Sequence, residues 1–147
     1  MNHRILVVGK PSLSHARAGI DDYLRRLQRH GNYSLETLKD GPADTVSKRL
    51  LDTSQKSFRI ILDERGRSPN TKELADRIAD WTHRPDIKTL SYLIGPADGH
   101  TLQTRDAADY VLALSPLTLQ HEIATVVLLE QLYRIATIHA GIPYHRT

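Results

Sequence analysis

Residues 110–147 read YVLALSPLTLQHEIATVVLLEQLYRIATIHAGIPYHRT, and the fold is read outward from this stretch. A short apolar run, Tyr110–Leu114, is followed by a six-residue polar hinge, Ser115–Gln120. From His121 to His139, Ile123, Val126, Val127, Leu129, Leu132, Ile135, Ala136 and Ile138 recur at spacings of three and four, which predicts one long helix. Apolar residues cover much of its circumference, so burial on more than one side is expected. Gly141 and Pro143 end it. Beyond them stand Tyr144, His145, Arg146 and Thr147, a polar tail that few cores would accept.

Upstream, the same strand-then-helix alternation repeats. Arg4–Gly9 (RILVVG) is a continuous apolar run, as a buried parallel strand requires. Ser14 is placed to cap a helix from His15 to His30, with Ala18, Ile20, Tyr23, Leu24 and Leu27 on its buried face. Arg25, Arg26, Arg29 and His30 fall near its end, where cations suit the helix dipole or would meet phosphates. Tyr33–Leu38 alternates and predicts a second strand with one wetter face. A weaker helix is predicted over Asp44–Asp52 and a third strand over Arg59–Asp63. Glu64–Asn70 reads as a charged loop, with Asn70 or Thr71 capping a helix that buries Leu74, Ala75, Ile78, Ala79 and Trp81. Thr89–Ile94 is the fourth strand, Thr101–Ala108 a short helix and Tyr110–Leu114 the fifth strand.

Alternating strands and helices imply an α/β fold, a mostly parallel sheet covered by helices on both faces. Ligands of such sheets sit outside the carboxyl ends of the strands. Three loops follow strand ends here, Asp63–Gly66, Gly95–Gly99 and Ser115–Gln120, and topology predicts that they meet.

At 147 residues the chain is expected to form a single domain, residues 1–147, large enough for a core without staples. Cysteine is absent, so there is no disulfide framework and no thiolate metal site, and no metal is expected. The run Ile5–Val8 is too short for a secretory signal and no run spans a bilayer; a soluble cytoplasmic protein without membrane contact is the expectation. A net charge of +3 permits an RNA partner without requiring one.

The residue types of the loops narrow the ligand. Gly95-Pro96-Ala97-Asp98-Gly99 lets backbone come close to a ligand. It is neither a Walker A loop nor a GxGxxG fingerprint, which argues against a nucleotide held by its phosphates. A nucleoside held by backbone groups and apolar walls fits better. Ser115-Pro116-Leu117-Thr118-Leu119-Gln120 is apolar enough to wall an adenine. Glu130 and Arg134 lie one helical turn apart and are placed to pair.

Leu114-Ser115, Thr118-Leu119, His121, Leu129–Arg134 (LEQLYR) and Pro143-Tyr144-His145-Arg146, with Ile94–His100 (IGPADGH) and Leu62–Gly66 (LDERG), resemble the signatures of the RlmH family of small SPOUT-class RNA methyltransferases, along essentially the whole chain. The resemblance implies a C-terminal trefoil knot, a homodimer, and S-adenosylmethionine bound by Leu62, Asp63, Gly95, Pro96, Gly99 and Ser115, Pro116, Leu117, Thr118, Leu119 and Gln120. It implies methyl transfer to N3 of a pseudouridine in helix 69 of 23S ribosomal RNA, within the large subunit or whole ribosome. That imide nitrogen is protonated at neutral pH, and His145 is the best candidate by type to take its proton. Tyr144, Arg146 and Arg134 complete the implied catalytic set. Three positions depart from the family's bacterial pattern: Pro96 within the glycine loop, Gln120 for a common Pro, and Thr125 for a usual Arg. The rival readings are a ribosome-binding or assembly factor that keeps the fold without the transfer, and an unrelated flavodoxin-like or nucleotide-binding domain.

Overall fold

A computed structural model of the chain describes residues 1–144. The elements run β1 (Asn2–Val8), α1 (Ser14–Leu27), β2 (Asn32–Leu38), α2 (Ala43–Thr53), β3 (Phe58–Arg67), α3 (Thr71–His83), β4 (Thr89–Ile94), α4 (Leu102–Asp106), β5 (Tyr110–Leu112) and α5 (His121–Ala140). The five strands form one sheet in the order β2-β1-β4-β3-β5. Every pairing is parallel, with Leu6 opposite Leu93 and Ile61 opposite Leu93 in the centre.

Both faces of the sheet are covered, which explains the unbroken apolar runs. In β1, Ile5 and Val7 join the core under α1, α3 and α5, while Leu6 and Val8 join a smaller core under α2. Successive strand residues point to opposite faces, so a strand buried on both must be apolar at every position.

Three local expectations are corrected. β3 does not stop at Asp63 but continues to Arg67, where the Ala113 N–H donates to the Arg67 carbonyl at 2.8 Å. Gly66 makes this possible, since a Cβ there would lie 2.5 Å from the Val111 carbonyl oxygen. β5 accordingly ends at Leu112 rather than Leu114. Ser14 is the first helical residue of α1, not its cap; Leu13 holds that position with no side-chain cap bond, and the helix stops at Leu27 rather than His30. Asn70 is the cap of α3, in a capping box with Glu73. α5 ends at Ala140, with Gly141 in the left-handed conformation at φ 71°. It buries one broad side, Leu128, Leu129, Leu132 and Ile135, while Ile123, Val127 and Ile138 stay half-buried outside both cores.

Candidate active site

A cavity of about 420 Å³ opens along the second half of β3, at the carboxyl ends of β4 and β5, and against the first turn of α5. Its apolar floor is Leu62, Ile94 and Leu112, register partners across three neighbouring strands. Residues 95–100 form one wall and residues 117–121 another. The cavity therefore gathers Leu62, Asp63, Gly95, Pro96, Gly99, Ser115, Leu117, Thr118, Leu119 and Gln120. Of the expected ligand-binding residues only Pro116 does not line it.

The glycine loop is closed by the Gly99 N–H, which donates to the Pro96 carbonyl at 2.8 Å. Pro96 thus contributes as an acceptor, and its missing N–H is not needed for the turn. Gly99 sits at φ 82°, a conformation that favours glycine. A Cβ on Gly95 would meet the Gly99 carbonyl carbon, the His100 nitrogen and His100 Nδ1 at 3.2 Å each. His100 is buried, its Nε2 is 3.0 Å from the Leu93 carbonyl, and its Nδ1 has no partner among the described residues. That carbonyl can only accept, so Nε2 carries the proton. Burial lowers the His100 pKa and keeps the ring neutral.

Asp63, at the edge of the cavity, has a side chain only 5 % exposed. It accepts from the Arg65 N–H at 2.9 Å and from the Arg65 guanidinium at 2.9 and 2.7 Å. The Arg65 bonds hold its carboxyl below the usual carboxylate range. Most of its acceptor capacity is used within the protein, which weakens it as a partner for ligand hydroxyls. Thr118 donates to Glu64 across the cavity, joining the β3 end to the opposite wall. The Gln120 side-chain oxygen accepts from the Glu122 and Ile123 N–H groups, so it caps α5 rather than facing a ligand. Leu117 is 71 % exposed at the mouth.

Two of the expected catalytic residues, Arg134 and Tyr144, stand elsewhere. Arg134 donates to Glu130 at 2.9 Å, and the Tyr144 hydroxyl donates to the same carboxylate oxygen at 3.0 Å. The Tyr144 hydroxyl is also 3.2 Å from that of Tyr23. Its ring packs edge-on against Tyr133 and under the Arg134 guanidinium, with centroid distances of 4.8 and 4.9 Å. Burial, then the bonds to Tyr23 and Glu130, push the Tyr144 phenol up. Glu130 lies nine residues along α5 from His121, or roughly 13 Å at the helical rise. The tail cluster is therefore separate from the chain's own cavity. His145 and Arg146 lie outside the described residues.

Some side chains at or beside the cavity were not singled out by residue pattern: Glu64, Arg65, His100 and Glu122. Glu64, Arg65 and His100 stand inside the LDERG and IGPADGH motifs without a role assigned to them, and Glu122 is an acid in the first turn of an apolar helix. The placing of the first three depends on which strands adjoin.

Among the described residues, no group of three His, Asp or Glu is placed to hold a metal ion, and no helix is long and apolar enough to cross a membrane.

Residues 1–145 match the family described as "Predicted SPOUT methyltransferase". The chain is 42 % identical over 146 residues to the ribosomal RNA large subunit methyltransferase H of Thermus thermophilus, covering 99 % of each. It is 37 % identical over 146 residues to the protein of the same name from Deinococcus radiodurans, again covering 99 % of each. A solved methyltransferase of Legionella pneumophila, in complex with bound cofactor SAM, matches in fold with a TM-score of 0.52 at 11 % identity, over 91 % of this chain and 66 % of that one.

Proposed function

This chain belongs to the SPOUT methyltransferase family, and from that premise we propose that it methylates large-subunit ribosomal RNA using S-adenosylmethionine, at N3 of the helix 69 pseudouridine. The observation that carries the proposal is the cavity assembled from β3, the ends of β4 and β5, and the start of α5. Its size suits a nucleoside, and its floor of Leu62, Ile94 and Leu112 suits the flat face of an adenine. The side chains of Asp63 and Gln120 are occupied within the protein. Recognition of the base edge therefore falls to backbone groups of residues 115–120 and 95–99, the latter a loop that Gly95 lets close against Gly99 and His100. When bound, S-adenosylmethionine supplies an electrophilic sulfonium methyl.

The protein's own part is to position and to handle one proton. His145 takes the imide proton, and Arg146 holds the base carbonyls or a phosphate. Arg134 and Glu130 hold Tyr144, and through it the start of the tail. The placement of Tyr144 away from the chain's own cavity favours a homodimer in which each tail serves its partner's cavity. The half-buried Ile123, Val127 and Ile138 on α5 supply an apolar face for such a dimer. The same reading includes the C-terminal trefoil knot, a single domain over residues 1–147, and action in the cytoplasm on the large subunit or whole ribosome.

The test is incubation of the purified protein with radiolabelled S-adenosylmethionine and ribosomes that lack the modification, followed by mapping of label on the 23S RNA. Label at the helix 69 pseudouridine is the expected result. Cofactor binding without label there would move the acceptor elsewhere. Absence of both would leave the non-enzymatic assembly factor.

A further inference from the structure

We infer that Glu122 is a positioning residue for the cavity, acting as a latch between the β1–α1 loop and the start of α5; the inference rests on the cavity being the cofactor site. Glu122 is only 6 % exposed, although it is a carboxylate. Burying such a group is costly unless hydrogen bonds satisfy it. Here they do. One oxygen accepts from the Ser12 N–H at 2.7 Å and the Leu13 N–H at 3.0 Å. The other accepts from the Ser12 hydroxyl at 3.1 Å and the Gln120 amide at 3.4 Å. Burial opposes ionisation, but these donors together hold the carboxyl below its ordinary range.

Two features of the latch connect it to function. Its donors Ser12 and Leu13 come from 110 and 109 residues upstream, so the contact is tertiary and fixes one end of α5 against the rest of the fold. Three residues around it are cavity wall: Gln120, His121 and Ala124 line the cavity, and the Gln120 amide is itself one of the donors. Glu122 holds this turn through the β1–α1 loop, whose residues do not line the cavity. A side chain that never touches the ligand thus sets where residues 120–124 stand.

The test measures binding of S-adenosylmethionine by calorimetry and methyl transfer at saturating cofactor, for the full chain and for Glu122→Gln and Ser12→Ala. Glu122→Gln keeps the shape but turns an amide NH2 toward N–H donors. The expected result is a cofactor Kd raised about tenfold, with kcat at saturation within about twofold of the parent. Ser12→Ala removes one donor and should raise Kd by about two- to threefold, with the fold intact by circular dichroism. An unchanged Kd in both variants overturns the inference, even if melting temperature falls, since that is a purely structural role. A fall in kcat with Kd unchanged also overturns it. Kd is read without RNA, so failure of the proposed RNA target leaves this outcome legible. Failure of the parent protein to bind the cofactor would sink the reading and the inference together.

Discussion

The hydroxyl of Tyr144 and the carboxylate of Glu130 lie 3.0 Å apart, fourteen residues apart in sequence, because the chain turns back at Gly141 and lays Tyr144 against α5. Tyr144 is thus tethered to a rigid helix.

That tether can be loosened without touching the cavity. Tyr23→Phe removes one of the two partners of the Tyr144 hydroxyl while leaving the aromatic packing in place. Single-turnover methyl transfer should slow by about fivefold, the cost of one hydrogen bond, with cofactor affinity unchanged. Equal loss of affinity and rate would mean that the tail and the cavity are one unit within a chain.

Gly66→Ala should be a stability mutation. The new Cβ would lie 2.5 Å from the Val111 carbonyl oxygen and 2.7 Å from its carbon, both backbone atoms that cannot swing away. The β3–β5 edge must then open, at about 3 kcal/mol, and the melting temperature should fall by roughly 6–12 °C. A scan by differential calorimetry checks this.

His3 gives the fold an acid sensitivity of its own. Its ring stacks on Tyr33 at 4.3 Å and meets the Tyr92 hydroxyl at 3.1 Å. Burial lowers its pKa from 6.5 to about 4. The unfolded chain therefore binds more protons than the folded one between those values. Stability is complete above about pH 6.5 and is lost as pH falls toward 4, by about 2 kcal/mol between pH 7 and 4.5. Urea unfolding at several pH values should show that slope, and His3→Phe should flatten it.

Leu117 separates binding from folding. It lines the mouth of the cavity yet is 71 % exposed, so it contributes little to the core. Leu117→Asp should weaken cofactor binding by about tenfold and move the melting temperature by no more than about 1 °C. Unchanged affinity would place the adenine away from this wall.

The legible part of the fold was the part set by local pattern. Continuous apolar runs identified the buried strands, and three-four spacing identified α5, because burial on both faces or along one stripe must be written into neighbouring residues. The ends of β3 and β5 were not legible. Glu64–Arg67 looks like a loop by composition, and it becomes strand only because Gly66 lets β5 approach. The Ser14 cap failed for a similar reason: the loop before α1 is fixed by Glu122, a residue 110 positions away from Ser12.

The α/β class, the meeting of residues 62–65, 95–99 and 115–120, and the family were all readable in the chain. These follow from periodicity, from the parallel-sheet rule and from motifs that are short and contiguous. Only the tertiary structure decided how the meeting residues are used. It tied Asp63 to Arg65, spent the Gln120 side chain on the first turn of α5, turned Pro96 into an acceptor, and set Tyr144 apart from the cavity against Tyr23 and Glu130. A polar side chain serves whichever donor or acceptor the fold brings within about 3 Å, and even partners as near in sequence as Asp63 and Arg65 meet only when the backbone between them takes the right path.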